Sequence, residues 1–104
     1  MIYVVATVTL KPNSRERFLA ELKHVSAEVR REVGCWDYFA TVDVASGLAR
    51  QGELRADVVT ILERWRDLPD LQAHSTAPHM LGFREKVKEL VSSTALQVLE
   101  SLPD

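Results

Sequence analysis

Ile2-Tyr3-Val4-Val5-Ala6-Thr7-Val8-Thr9-Leu10, closed by Lys11-Pro12-Asn13, is the stretch whose pattern decides the fold. β-Branched and aromatic residues dominate it and a Pro-Asn breaker stops it, so it reads as a strand. Ile2, Val4, Ala6, Val8 and Leu10 share one parity. A sheet with one wet face puts charge on the other parity, but here that parity holds Tyr3, Val5, Thr7 and Thr9, none of them charged. Val58, Val59, Ile61 and Leu62 repeat this two-sided character further along. Both faces of the sheet are therefore expected to be covered.

Working outward, Asn13 and Glu16 stand at capping-box spacing, and Phe18, Leu22, Val25 and Val29 then recur at helical intervals until Gly34 stops them. The spacing predicts a helix over about residues 14–32. Residues 35–44, with Trp36, Tyr38, Phe39 and Val42, return to a strand pattern. Residues 45–57 form a loop whose shape the pattern leaves open. Residues 58–65 make a third strand, Asp67 caps a short helix ending near His74, Thr76 caps another running to about Val91, and residues 94–102 make a fourth strand. The order β-α-β-β-α-β is that of the ferredoxin-like α+β fold, a four-stranded antiparallel sheet with its helices on one face. Helices on one face leave the other bare, and a second copy of the sheet is its simplest cover, so a homodimer is expected.

Composition narrows the function classes. At 104 residues, 46% apolar and 27% charged, residues 1–104 suit a single globular domain. A net charge of −2 with scattered Lys and Arg lacks the basic footprint of nucleic-acid binding. No apolar run approaches the roughly 20 residues of a membrane span. Cys35 has no second cysteine to pair with in the chain, and the sequence opens directly into a strand without a basic n-region. A soluble, cytoplasmic protein is expected.

The residues able to carry chemistry cluster between 63 and 83. Glu63 and Trp65, two apart on a strand, project to one face. His74 falls near the C-terminal end of the short helix and His79 in the first turn of the next, where the helix ends bias an imidazole in opposite senses, toward the cation at His74 and toward the neutral base at His79. A neutral imidazole is what a general base requires. Trp65, Met80 and Phe83, the last four residues beyond His79, suit a flat apolar slot for an aromatic ligand, although a tryptophan on an inner strand also serves as plain core. Glu63, if buried, needs a donor partner, expected to be an arginine or a backbone N–H. A metal centre built on the two histidines and a carboxylate is set aside, because Ser75, Thr76 and Pro78 interrupt the helix between the histidines. Cys35 lacks a basic neighbour and is not expected to be reactive. No phosphate-binding glycine loop or Ser-His-Asp set is present.

Four pieces in order, Tyr3-Val4-Val5-Ala6, Glu32-Val33-Gly34-Cys35, Glu63-Arg64-Trp65 and His74-Ser75-Thr76-Ala77-Pro78-His79, give the chain a close likeness. It resembles the antibiotic-biosynthesis-monooxygenase domain family, and within it the small bacterial quinol monooxygenases. The resemblance implies a dimeric α+β barrel and oxygenation of a small phenol or quinol by O₂ without flavin, haem or metal. It implies His74 and His79 as catalytic candidates, one of them the base, with Trp65 and Phe83 holding the substrate ring; Met80 and Glu63 beside them are expected as further substrate contacts. Haem-degrading relatives need an asparagine on the first strand. Thr7 stands at that position, which weakens a haem-binding or haem-degrading role and leaves Thr7 as a further substrate contact. A dimer of the same fold that binds a small ligand without turnover remains the other alternative.

Overall fold

The computed structural model describes residues 1–104. Strand β1 (Ile2–Leu10) leads to helix α1 (Arg15–Val29), strands β2 (Cys35–Thr41) and β3 (Val58–Trp65), helices α2 (Leu68–Ser75) and α3 (Pro78–Val87), and strand β4 (Val91–Glu100). The sheet order is β2-β3-β1-β4 with every neighbouring pair antiparallel. This is the ferredoxin-like arrangement, with the second helical segment divided in two at Thr76-Ala77.

Register sorts the side chains. Ile2, Val4, Ala6, Val8 and Leu10 are all buried, and with Val59, Ile61 and Trp65 they meet Phe18, Leu22, Val25 and Val29 of α1 and Met80, Phe83 and Val87 of α3. These residues make one core between sheet and helices. The opposite face, with Tyr3, Phe39 and Leu99 partly exposed and Trp36 more so, carries no helix. Its apolar content agrees with the pattern of the first strand.

β4 behaves differently from the other strands. Leu96 pairs with Ala6 and Val98 with Val4, so both point to the helical side, yet both are exposed. No helix lies over this edge of the sheet, and an open space results between β4 and the α2–α3 segment.

Several element ends differ from those the sequence predicts. Asn13 adopts a left-handed φ of 63° and is not the cap; Ser14 is, without a side-chain hydrogen bond. α1 stops at Val29, and residues 30–34 form a turn in which Gly34 has φ 78°. A side chain on Gly34 would collide with the carboxyl group of Asp70, so a residue without Cβ is required there on two counts. Asp67 caps α2 as expected, accepting from the Asp70 N–H at 3.0 Å. Thr76 caps no helix start: it is the C-cap that follows α2, and α3 begins at Pro78 after Ala77. Proline at a first helical position gives up no hydrogen bond, which explains the later start. α3 ends at Val87 rather than near Val91, and β4 starts at Val91 because it must pair with Leu10.

Residues 42–57 contain no helix or strand. Asp43 and Arg55 pinch the base of this loop through paired guanidinium–carboxylate bonds of 2.9 Å each, which hold the Asp43 carboxyl down at about 2.

Candidate functional site

The space beneath β4 is a cavity of about 550 Å³, within the usual range for small-molecule sites. Thirteen of its twenty lining residues are apolar, so it suits a largely apolar ligand. Val4, Ala6 and Ile61 form its floor, Met80 and Phe83 its helical wall, and Leu96 and Val98 its β4 wall. Phe83 is braced edge-on by Phe18, with ring centroids 5.7 Å apart. Glu63, Tyr38 and His74 supply polar groups at one part of its lining, and Arg84, Lys88 and Thr94 are also among its lining residues.

His74 comes from the last turn of the eight-residue α2 and is the one residue of that helix that is buried. Its ring lies against Trp65, with centroids 4.7 Å apart and planes tilted by 38°, and meets Tyr38 edge-on at 5.6 Å. Those two contacts fix the ring plane. Its Nδ1 lies 2.9 Å from Glu32 Oε2. Its Nε2 has Glu63 Oε1 as its nearest carboxylate oxygen at 4.0 Å, beyond hydrogen-bond reach.

Glu63 projects from β3 beside its strand neighbour Trp65, whose indole N–H donates to Oε1 at 2.9 Å. Burial pushes the Glu63 carboxyl above its usual range; the Trp65 bond and nearby His74 offset part of that rise, and Glu32 adds to it. Tyr38 is also driven upward, first by burial and then by Glu63 and Glu32, so its phenol stays protonated across the physiological range.

The expected site residues separate into two groups. His74, Glu63, Met80 and Phe83 line the cavity. Trp65 is fully buried behind His74 and Glu63, where it supports both without facing the cavity. Thr7 pairs with Thr60 and Ala95 on the far face of the sheet, so it is not at this cavity. His79 lies beyond the cavity wall, in a polar cleft between α1 and α3 shared with His24, Glu28 and Lys86. It nevertheless touches the same group as His74, since His79 Nε2 lies 2.8 Å from Glu32 Oε2.

Glu32 and Tyr38 are among the site residues that pattern reasoning passed over, as is Arg84, which lines the cavity. Glu32 sits in the turn after α1, where a charged residue reads as solvated surface, yet its side chain is only 14% exposed. Its sequence signal is its place in Glu32-Val33-Gly34-Cys35, one of the pieces that carry the family likeness, which gives it no role by itself. Tyr38 reads as one more aromatic in a strand. Its parity with Glu63, its register partner, is what puts it at the site.

The family model for antibiotic biosynthesis monooxygenases matches residues 1–86. The chain belongs to this family. YgiN of Escherichia coli K12, named as a probable quinol monooxygenase, is 29% identical over 102 residues, covering 96% of this chain and 97% of YgiN. Among solved structures, Rv0793 of Mycobacterium tuberculosis is 27% identical with a TM-score of 0.79, covering 99% of this chain and 96% of that one. PA3566 of Pseudomonas aeruginosa is 25% identical with a TM-score of 0.79, over 98% and 94% of the two chains. The antibiotic biosynthesis monooxygenase match ends near Lys86, so β4, which walls the cavity, lies outside the matched residues.

Proposed function

We propose that this protein is a cofactor-independent monooxygenase that uses O₂ to oxygenate a small phenol or quinol, with His74 as the base. One observation carries this assignment: of the three histidines, only His74 lines the apolar cavity, and its Nε2 is free of protein hydrogen bonds there. Family membership and the likeness to YgiN support it.

The chemistry follows from what a phenol needs before it reacts with O₂. A phenol near its ordinary pKa of about 10 is mostly neutral at pH 7 and a poor electron donor. Transfer of the hydroxyl proton to His74 Nε2 leaves a phenolate, which donates one electron to triplet O₂ far more readily. The radical pair combines at a ring carbon to a peroxide, and loss of water leaves a carbonyl on the ring, so one oxygen atom of O₂ enters the product and the other leaves as water. Met80 and Phe83 hold the ring against a mostly apolar lining. No metal, flavin or haem takes part in this scheme.

The bare sheet face supports a homodimer, since Tyr3, Trp36, Phe39 and Leu99 would otherwise leave an apolar patch in water. Light scattering at micromolar concentration tests it, and a monomer would contradict it. The lone free thiol, Cys35, fits a reducing cytoplasm.

Oxygen uptake with menadiol or a naphthalenol, corrected for autoxidation, tests the activity. A protein-dependent rate that collapses in His74→Ala supports the assignment, whereas a rate independent of protein sinks it. Thermal stabilisation by the same ligands without product would point instead to a binding protein.

A further inference from the structure

Two imidazoles from different helices converge on a single oxygen atom. His74 Nδ1, from the last turn of α2, and His79 Nε2, from the first turn of α3, lie 2.9 and 2.8 Å from Glu32 Oε2. An ionised carboxylate has no hydrogen to give, so both ring nitrogens must be the donors. For His74 this has a direct consequence. A neutral ring with its hydrogen on Nδ1 carries its lone pair on Nε2, the atom at the cavity.

We propose that Glu32 is the positioning residue of this site, setting the His74 tautomer that presents a basic Nε2 to the cavity, and that His79 anchors Glu32 from the outer side. The proposal rests on His74 being the base and adds to it the group that makes it one. Side-chain exposure falls from 23% at His79 to 14% at Glu32 and 6% at His74, so the three form an inward series from the α1–α3 cleft to the cavity. Without the outer donor, Glu32 would satisfy one imidazole and be free to rotate about its side-chain torsions. With it, the carboxylate oxygen is held from both sides. His79 Nδ1, 3.7 Å from Glu28 Oε2, faces the cleft, so His79 stays linked to the outer surface.

When His74 takes the substrate's hydroxyl proton at Nε2, the ring becomes an imidazolium whose Nδ1–H still points at Glu32. The carboxylate then stabilises a charge that exists only after proton transfer, as a triad carboxylate does for its histidine. No proton needs to pass to Glu32 itself. The role is positional and electrostatic, and His79 supports it at one remove.

Two measurements test this, and they fail separately from the activity. Long-range ¹H–¹⁵N spectra of the labelled full chain, recorded where the imidazoles are neutral, read each tautomer without any substrate. The expected result is His74 protonated at Nδ1, changing to the Nε2–H form in Glu32→Ala. His74 already protonated at Nε2 in the unchanged protein, or still protonated at Nδ1 in folded Glu32→Ala, overturns the proposal. Where the alanine variant does not fold, Glu32→Gln serves, because its amide oxygen can still accept from both rings while the charge is gone. Its tautomer should persist, and kcat for oxygen uptake should fall about ten- to a hundredfold with KM within about twofold. A kcat equal to that of the unchanged protein overturns the electrostatic role. If the unchanged protein shows no turnover at all, the enzyme assignment fails, while the tautomer spectra still decide what Glu32 does.

Discussion

Trp65 donates its indole N–H to Glu63, its neighbour two residues back on the same face of β3, at 2.9 Å. The bond matters because Glu63 is buried and Trp65 has no solvent exposure, so each would otherwise bury a polar group without a partner. Trp65→Phe keeps much of the ring volume and removes the donor. Chemical denaturation should show a loss of about 1–3 kcal/mol, the penalty of a buried acceptor left unpaired. A loss under a few tenths would mean that Glu63 finds another donor.

Glu63 also gives the fold a pH dependence of calculable sign. Its carboxyl lies above the ordinary value of 4.5 in the folded chain, with burial as the main cause, so the native state binds a proton that the unfolded state has released. The contribution is fully present below the unfolded value and is lost as pH rises through the folded one. Glu63→Gln keeps the acceptor for Trp65 and removes the titration. The stability difference between Glu63→Gln and the unchanged protein should therefore grow in favour of the variant as pH rises from about 4 toward neutrality. Unfolding midpoints of both proteins across that range check it, and a constant difference would contradict it.

Cys35 has the same sign at higher pH. Burial, followed by Glu32, Glu63 and Asp37, raises its thiol from 9.0 to about 11, against a smaller opposing effect of Arg30. The thiolate is therefore scarce at neutral pH. Alkylation by iodoacetamide should be slow at pH 7 and accelerate with a midpoint near 11, and a midpoint at or below 9 would rule out this environment.

The two histidines should respond unequally to truncation. His74→Ala removes the base from the cavity and should lower kcat by roughly 10²- to 10⁴-fold. His79→Ala removes only the outer donor to Glu32, so its loss should be at least tenfold smaller. Equal losses would indicate that His79 enters the cavity during turnover.

Gly34→Ala should weaken the fold for two reasons acting together. A non-glycine residue at positive φ is strained by about 1 kcal/mol, and the new Cβ must also displace the Asp70 side chain from its pairing with Arg66 at 2.8 Å. A total of about 2–4 kcal/mol is expected from thermal unfolding. Asp70→Ala in the same background should recover part of that loss.

Much of the fold was legible because one physical signal, a run of β-branched and aromatic residues, was strong in residues 2–10 and 58–65. Helix boundaries were less so. Thr76 looks like a start because Ser and Thr cap helices, but Pro78 two residues later fixes the first helical position, and Thr76 closes α2 instead. The division of the site residues was legible only in part. The sequence shows that Glu63 and Trp65 share a face, yet not that a tryptophan at the end of an inner strand lies behind the histidine rather than beside the ligand. Glu32 was hidden for a different reason. Its role depends on three chain segments meeting at one atom, over separations of 42 and 47 residues, and nothing local records such a meeting.

β4 is an edge strand, hydrogen-bonded on one side to β1 and to nothing on the other. It is also the wall that supplies Leu96 and Val98 to the cavity. A chain that pairs along its free edge would alter the freedom of that wall, and the affinity for a ligand in the cavity would change with it. Thermodynamic reciprocity then requires that an occupied cavity alter the readiness of the edge to pair by the same factor.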